Sequence, residues 1–308
     1  MAREIKAEAE RLGFVACGIT DLSPTPHGAE LDAWLATGRA GTMRYLHRQA
    51  RKRKEPQRID RSARSAVVVL DNYYSPDQPA DDEPPRVAKY ARGGDYHRVT
   101  LERVEQLAGF LRQHGARVAR AYTDAGPVPE RELAQRAGLG WIGKNTMLIR
   151  PGIGSFFFIG SILTDLALPI DPPFALDHCG GCTRCLEACP TQAITEPRLL
   201  DATRCISYLT IEHRGPIPDE LAPSFGGWAF GCDICNDVCP WNVRFATETQ
   251  VVGLKPHGRL RGTNPDFFDR MTEDGFAQEF GDTAFTRPGL IGMRRNLRAA
   301  FASRSPES

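Results

Sequence analysis

The 308-residue chain has almost no net charge: 39 lysines and arginines stand against 38 aspartates and glutamates, which leaves +1. That balance excludes binding driven by whole-chain charge, so any basic surface for a polyanion must be local. Long apolar runs are missing too. The longest, Ser155 to Leu168, is interrupted by Asp165 and is too short to cross a bilayer. The opening residues MAREIKAEAERLGF are charged and helical in pattern, with neither a signal-peptide core nor a twin-arginine motif. A cytoplasmic protein with no membrane partner is expected. There is no long internal repeat and no low-complexity tract. Cysteine is scarce outside one block: of nine, only Cys17 lies beyond the segment Cys179 to Cys239. A secreted disulfide protein would not confine its cysteines this way, whereas clustered cysteines in a reducing compartment serve as metal ligands.

What is present alternates between helix and strand patterns up to about residue 168. Helices are expected at Ala2 to Leu12, at Leu31 to Leu46, along Leu101, Val104, Leu107 and Leu111 up to a Gly115 cap, and from Pro129 to Ala137. Strands are expected near Phe14 to Ile19, Ala66 to Leu70, Arg117 to Tyr122, Asn145 to Ile149 and Phe156 to Leu163. Thr123-Asp124-Ala125-Gly126-Pro127 reads as a turn, and Pro169, Pro172 and Pro173 as a linker. A basic segment runs from Arg48 through Arg51, Lys52, Arg53, Lys54, Arg58 and Arg61 to Arg64. It suits either a solvated helix face or nucleic-acid phosphates. The last helix is expected at Gly289 to Phe301.

The cysteines carry the most specific chemistry. Cys179-x2-Cys182-x2-Cys185-x3-Cys189-Pro190 has the spacing of a bacterial ferredoxin, and Cys232-x2-Cys235-x3-Cys239-Pro240 repeats its ending. Three closely spaced thiolates on a loop reach three iron corners of a cubane, and the fourth ligand of each run serves the other cluster. Cluster one is therefore assigned Cys179, Cys182, Cys185 and Cys239. Cluster two takes Cys189, Cys232 and Cys235, with Cys205 as its upstream member. Structural zinc, the competing reading, favours separated CxxC pairs over three-plus-one runs. Cys17 reads as a small apolar residue.

Several motifs then occur in a fixed order: Asp95-Tyr96-His97; Thr123 to Pro127 followed by Glu130-Arg131-Glu132-Leu133-Ala134; Gly140-Trp141-Ile142-Gly143-Lys144-Asn145-Thr146; the first cysteine run; Arg204-Cys205-Ile206-Ser207-Tyr208-Leu209-Thr210; and the second run with Gly231 before it and Trp241-Asn242 after it. In these the chain resembles the epoxyqueuosine reductase family over nearly all of residues 1 to 250. The resemblance implies an α+β protein. An N-terminal nitroreductase-like α/β cobalamin-binding domain (1–168) is followed by a bacterial-ferredoxin-like domain with two 4Fe–4S clusters (169–250) and a mainly helical tail (251–308). It further implies base-off cobalamin, a tRNA substrate carrying epoxyqueuosine at the wobble position, an external electron donor and a chain acting as a monomer.

The family's proton donor falls on Asp124, whose burial beside an apolar macrocycle would raise its pKa into a working range. Arg53, Tyr96, His97, Asn145 and Ser207 fall in segments that resemble cobalamin-contacting parts of the family. Their structural alternatives are a charged face for Arg53, helix capping for Tyr96 and His97, a turn into a strand for Asn145, and backbone satisfaction near Cys205 for Ser207. Many members of the family continue into helical repeats. Met293 to Ala300 resembles the start of one, and the lack of further repeats would remove tRNA contacts without touching the chemistry. Two other functions share parts of this pattern: a cobalamin-dependent reductive dehalogenase, and an electron-transfer protein without a corrinoid.

Overall fold

The computed structural model describes residues 1–302, so residues 303–308 of the expected tail lie outside the described residues. At its centre is a four-stranded sheet in the order Ala16–Thr20, Ser65–Asn72, Phe157–Thr164, Ala119–Thr123. Every neighbouring pair is antiparallel, with Ser65 opposite Thr164 and Asn72 opposite Phe157 across the central pair. The helix–strand alternation along the chain therefore builds an antiparallel sheet flanked by helices.

All eight residues of Ser65–Asn72 are buried, because both faces of the sheet are covered. Side chains alternate faces along a strand. Val67 and Val69 accordingly join Ile5, Ala9, Val104, Leu107 and Leu111 from the helices Ala2–Arg11 and Tyr96–Gln113. Ala66, Val68 and Leu70 join Leu133 and Ala134 from the helix Glu130–Arg136 on the other side. Asp71 shares the face of Val67 and Val69. It is fully buried and accepts from Arg103 Nη1 at 2.7 Å and Thr100 Oγ1 at 2.8 Å, fastening the long helix to the sheet.

One expected helix divides in two. Leu31 to Leu46 is replaced by Gly28–Ala36 and Arg44–Lys54. Between them Gly38 and Gly41 have φ of 74° and 56°, which a right-handed helix cannot contain. A Cβ at Gly41 would stand 2.3 Å from the Tyr208 hydroxyl, so the break lets the chain pass close to the cysteine-bearing segment. The strand expected at Asn145 to Ile149 shrinks to Leu148–Ile149, paired with Trp141–Ile142.

Short helices lie among the cysteine runs: Arg184–Glu187 and Ile234–Asp237 carry Cys185 and Cys235, and Cys205 and Cys239 are the N-caps of Ile206–Ile211 and Pro240–Phe245. They are locked to the sheet region by buried amides. Asn242 Oδ1 accepts from Ser155 N at 2.6 Å, and Asn242 Nδ2 donates to the Asn236 carbonyl at 2.8 Å. The helix Gly289–Ala302 packs on the strand Trp228–Phe230, which itself pairs with Arg86–Val87. One core cluster contains Tyr96 and Phe158 from the sheet region, Phe230 from the cysteine region, and Phe280, Phe285 and Leu297 from the tail. Among the described residues no helix is long and apolar enough to cross a membrane.

Candidate active site

The long helix Tyr96–Gln113 begins beside the point where the strand Ala119–Thr123 ends, which brings Tyr96 and Asp124 together. Asp95 caps that helix through the His97 amide at 3.0 Å, leaving the side chain of Tyr96 free for other work. The Tyr96 ring stacks on Phe158 with centroids 4.2 Å apart and planes at 5°, and its hydroxyl donates to Asp124 Oδ2 at 2.5 Å. His97 stacks on Tyr96 from the other side, with Nε2 3.9 Å from the same oxygen. The His97 Nδ1 hydrogen bond with Asp95, 2.9 Å long, raises the imidazole pKa.

Asp124 itself has φ of 50° and ends the strand in the expected turn, with Gly126 at φ 87°. Its side chain is 66% exposed. The expected burial is thus not supplied by the protein, and enclosure of this carboxyl falls to whatever fills the space above it. Behind it lies Glu130, whose role the sequence did not reveal. Glu130 Oε1 accepts from the Asp124 amide at 2.9 Å, and burial together with the Asp124 charge pushes the Glu130 pKa up to about 8. Arg53, from the helix Arg44–Lys54, donates to the carbonyls of Gly126 at 3.0 Å and Val128 at 3.3 Å, while its buried Nε has no partner. Tyr45, Tyr90, Glu212 and Arg287 complete the charged and aromatic surroundings.

The thiols lie in two adjoining neighbourhoods. Burial and then Cys179, Cys239 and Cys182 raise the Cys185 pKa; Cys239 answers to Cys179 and Cys182. Cys232 is raised by burial and then by Cys205 and Cys189, and Cys235 by burial and then by Cys232 and Cys205. Cys185 of the first run also acts on Cys235, so the two neighbourhoods adjoin, and the expected ligand sets are compatible with this placement. Cys205 and Cys239 occupy helix N-caps, where backbone amides favour thiolate. The Ala193 amide donates to Cys189 Sγ at 3.2 Å, and Trp141 Nε1 to Cys179 Sγ at 3.4 Å. Donors aimed at sulfur fit cluster ligation, because such bonds tune cluster potential. Among the described residues no three His, Cys, Asp or Glu are grouped tightly enough for a lone metal ion, a condition that a cubane with separated corners does not impose.

Two of the expected cofactor contacts lie with the cysteines. Buried Asn145 donates to the Cys235 carbonyl at 3.4 Å and to Asn236 Oδ1 at 3.3 Å. Its neighbour Lys144 donates to the carbonyls of Gly180 at 2.6 Å and Cys182 at 3.0 Å, so adjacent residues tie down one cysteine loop each. Ser207, in the first turn of Ile206–Ile211, lies beside Cys205, where its side chain and amide favour the thiolate. Tyr90 connects the two regions, since burial and then Asp124 and Asp233 raise its pKa. Lys89, also unforeseen, is buried with Nζ 2.8 Å from both Asp77 and Asp237. Cys17 lies in the strand Ala16–Thr20, where burial pushes its thiol up to about 12. The basic segment divides: Arg53 turns inward and Arg58 pairs with Glu55, while Arg48, Arg51, Lys52, Arg61 and Arg64 are exposed.

Comparison with known proteins converges on one family. Residues 178–242 match the model of a 4Fe-4S double cluster binding domain, and residues 53–125 match the epoxyqueuosine reductase QueG model. The epoxyqueuosine reductase of Cellulophaga algicola is 41% identical over 295 residues, covering 95% of each chain. Among solved structures, an epoxyqueuosine reductase with a tRNA-Tyr epoxyqueuosine-modified stem loop superposes with a TM-score of 0.87 at 28% identity, over 98% of this chain and 81% of that one. A Bacillus subtilis epoxyqueuosine reductase, with its catalytic aspartate loop swung out of the active site, gives 0.85 at 26% identity over the same shares.

Proposed function

The chain belongs to the epoxyqueuosine reductase family, and we propose on that premise that it reduces epoxyqueuosine to queuosine at the wobble position of tRNA, using two 4Fe–4S clusters and base-off cobalamin, with Asp124 as proton donor. The observation that carries the site assignment is the Asp124 carboxyl, held by Tyr96 at the end of a strand and otherwise open to a substrate. Membership of the family sets aside the dehalogenase and pure electron-carrier readings.

Loss of the epoxide oxygen as water balances with two electrons and two protons. When bound, the clusters carry single electrons and low-valent cobalt supplies reducing power at the epoxide carbon. Cluster one would be held by Cys179, Cys182, Cys185 and Cys239, and cluster two by Cys189, Cys205, Cys232 and Cys235. Cobalamin would lie against Asp124, Tyr96, His97 and Arg53, where an unpartnered buried N–H awaits an acceptor. Asn145 and Ser207 serve this site from the cluster-two side.

The residues themselves handle the proton. Tyr96 occupies Asp124 Oδ2, which leaves the other oxygen to exchange a proton with the developing alkoxide. A bound corrinoid and substrate would meet this carboxyl from its exposed side. The wobble base must leave the anticodon stack to reach it. Arg48, Arg51 and Lys52, exposed on the helix that also carries Arg53, would meet tRNA phosphates. The division into domains at about residues 168 and 250, action as a monomer in the cytoplasm, and supply of electrons by an external donor belong to the same proposal. The test is nucleoside mass spectrometry after incubation of cluster-loaded protein, a reductant and epoxyqueuosine-bearing tRNA, with and without cobalamin. Queuosine formed only with cobalamin supports the proposal; none formed despite loaded clusters and bound cobalamin refutes it.

A further inference from the structure

The segment from Asp124 to Val128 carries the proton donor yet has little backbone holding it. Among the described residues, no backbone–backbone hydrogen bond outside the regular elements involves residues 124–128. Asp124 and Gly126 are both left-handed, so the segment departs sharply from the strand it follows. Two side chains supply what the backbone lacks. Glu130 Oε1 takes the Asp124 amide at 2.9 Å, and Arg53 reaches the carbonyls of Gly126 and Val128 at 3.0 and 3.3 Å. One tether comes from the helix that follows the loop and the other from a helix about seventy residues earlier in the chain.

We propose that Glu130 and Arg53 are positioning residues that latch the Asp124 loop, holding the Asp124 backbone so that its carboxyl stays against Tyr96, and that the loop opens when either tether is lost. Tyr96 donates to the Asp124 side chain, so its bond orients the carboxyl without fixing the backbone that carries it. The groups facing Glu130 are Asp124, Arg53 and Arg131. Because burial and the Asp124 charge push the Glu130 pKa up to about 8, at neutral pH it accepts the amide as a neutral acid. A second negative charge beside Asp124 is thereby avoided. Its partner Arg53 bonds only to carbonyls and to Gln49, which suits a structural clamp.

The effect on turnover rests on Asp124 being the proton donor, but the latch can be read without turnover. Hydrogen exchange, followed by mass spectrometry on cluster-loaded protein, reports the peptide spanning residues 123–130. Glu130→Ala and Arg53→Met should each speed exchange there about tenfold, the expected loss for one or two hydrogen bonds, and leave the strand Ser65–Asn72 unchanged. Glu130→Gln keeps an acceptor oxygen and should exchange like the wild type. In steady state with epoxyqueuosine-bearing tRNA, Glu130→Ala should lower kcat about tenfold with KM nearly unchanged, and Gln should restore it. If Glu130→Ala does not yield folded protein, Arg53→Met carries the test alone. Wild-type exchange in both tether variants, or a Gln variant as loose as the Ala variant, would overturn the latch.

Discussion

The Tyr96 hydroxyl donates to Asp124 Oδ2 at 2.5 Å while the face of its ring lies on Phe158. The stack fixes the ring, so the hydroxyl has one place to go, and the carboxyl is oriented by a group that is itself immobile. Tyr96→Phe keeps the stack and removes only the bond. A hydrogen bond to a charged group is worth about 1.5 kcal/mol or more, so single-turnover conversion should slow about tenfold with melting temperature nearly unchanged. Conversion at the wild-type rate would show that Asp124 needs no such orientation.

The proposed ligation crosses between the two runs, and this has a clear signature in iron content. Cys189 belongs to the first run by sequence but sits with Cys205 and Cys232. Cys189→Ser and Cys205→Ser should each cost about four iron atoms per chain, and the double variant no more than either single. Combining Cys182→Ser with Cys205→Ser should empty both sites. Iron analysis with EPR of the reduced protein distinguishes this from pairing within each run, which predicts that Cys189→Ser and Cys182→Ser disable the same cluster.

Much of this was legible from local patterns. The cysteine spacing is dictated by the size of a cubane, and Ala66 to Leu70 reads as a strand because burial on both faces of Ser65–Asn72 calls for an apolar run at its centre. The turn at Asp124 was written in Asp-Ala-Gly-Pro. The contacts around that turn were not, because they join residues distant in sequence. Arg53 sits in a run of basic residues, where only the family resemblance separates it from a solvated charge, while Glu130 reads as a helix-start acid after Pro129. Lys89 gives no sign of burial, since its partners Asp77 and Asp237 meet it only in the fold. The break at Gly38 and Gly41 was missed for a related reason, as the Tyr208 hydroxyl that crowds Gly41 comes from the cysteine region. Ser207 has its partner Cys205 two residues away, within reach of a local reading, whereas the partners of Asn145 on the second cysteine loop meet it only in the fold.

Glu130 also sets a pH dependence of stability. Its carboxyl titrates at 4.5 ordinarily and is pushed up to about 8 in the fold. Between those values the folded protein holds a proton that the unfolded chain releases. The stability this group contributes is therefore full below about 4.5 and is lost as the pH rises through about 8. Glu130→Gln removes that slope. Relative to wild type, the variant's melting temperature should rise between about pH 5 and about pH 8.5. A constant difference across that window would show that Glu130 is not displaced from the ordinary carboxyl range.

The Asp71–Arg103 pair tests the scaffold apart from the chemistry. Asp71→Ala strands a partly buried guanidinium and also removes the Thr100 bond. Loss of about 3–5 kcal/mol is expected from denaturant unfolding, because breaking a buried pair leaves one charge uncompensated. A loss below about 1 kcal/mol would indicate that the helix Tyr96–Gln113 is held by apolar packing alone.

The most direct test concerns Asp124 itself. Wild type and Asp124→Asn, loaded equally with clusters and cobalamin, would be mixed under reducing conditions with excess epoxyqueuosine-bearing tRNA and quenched over a time course for nucleoside mass spectrometry. The amide keeps the shape and the bond from Tyr96 but cannot deliver a proton, so queuosine formation should fall by about a hundredfold or more while bound tRNA is unchanged. Queuosine formed by Asp124→Asn at the wild-type rate would contradict the assignment of Asp124 as proton donor.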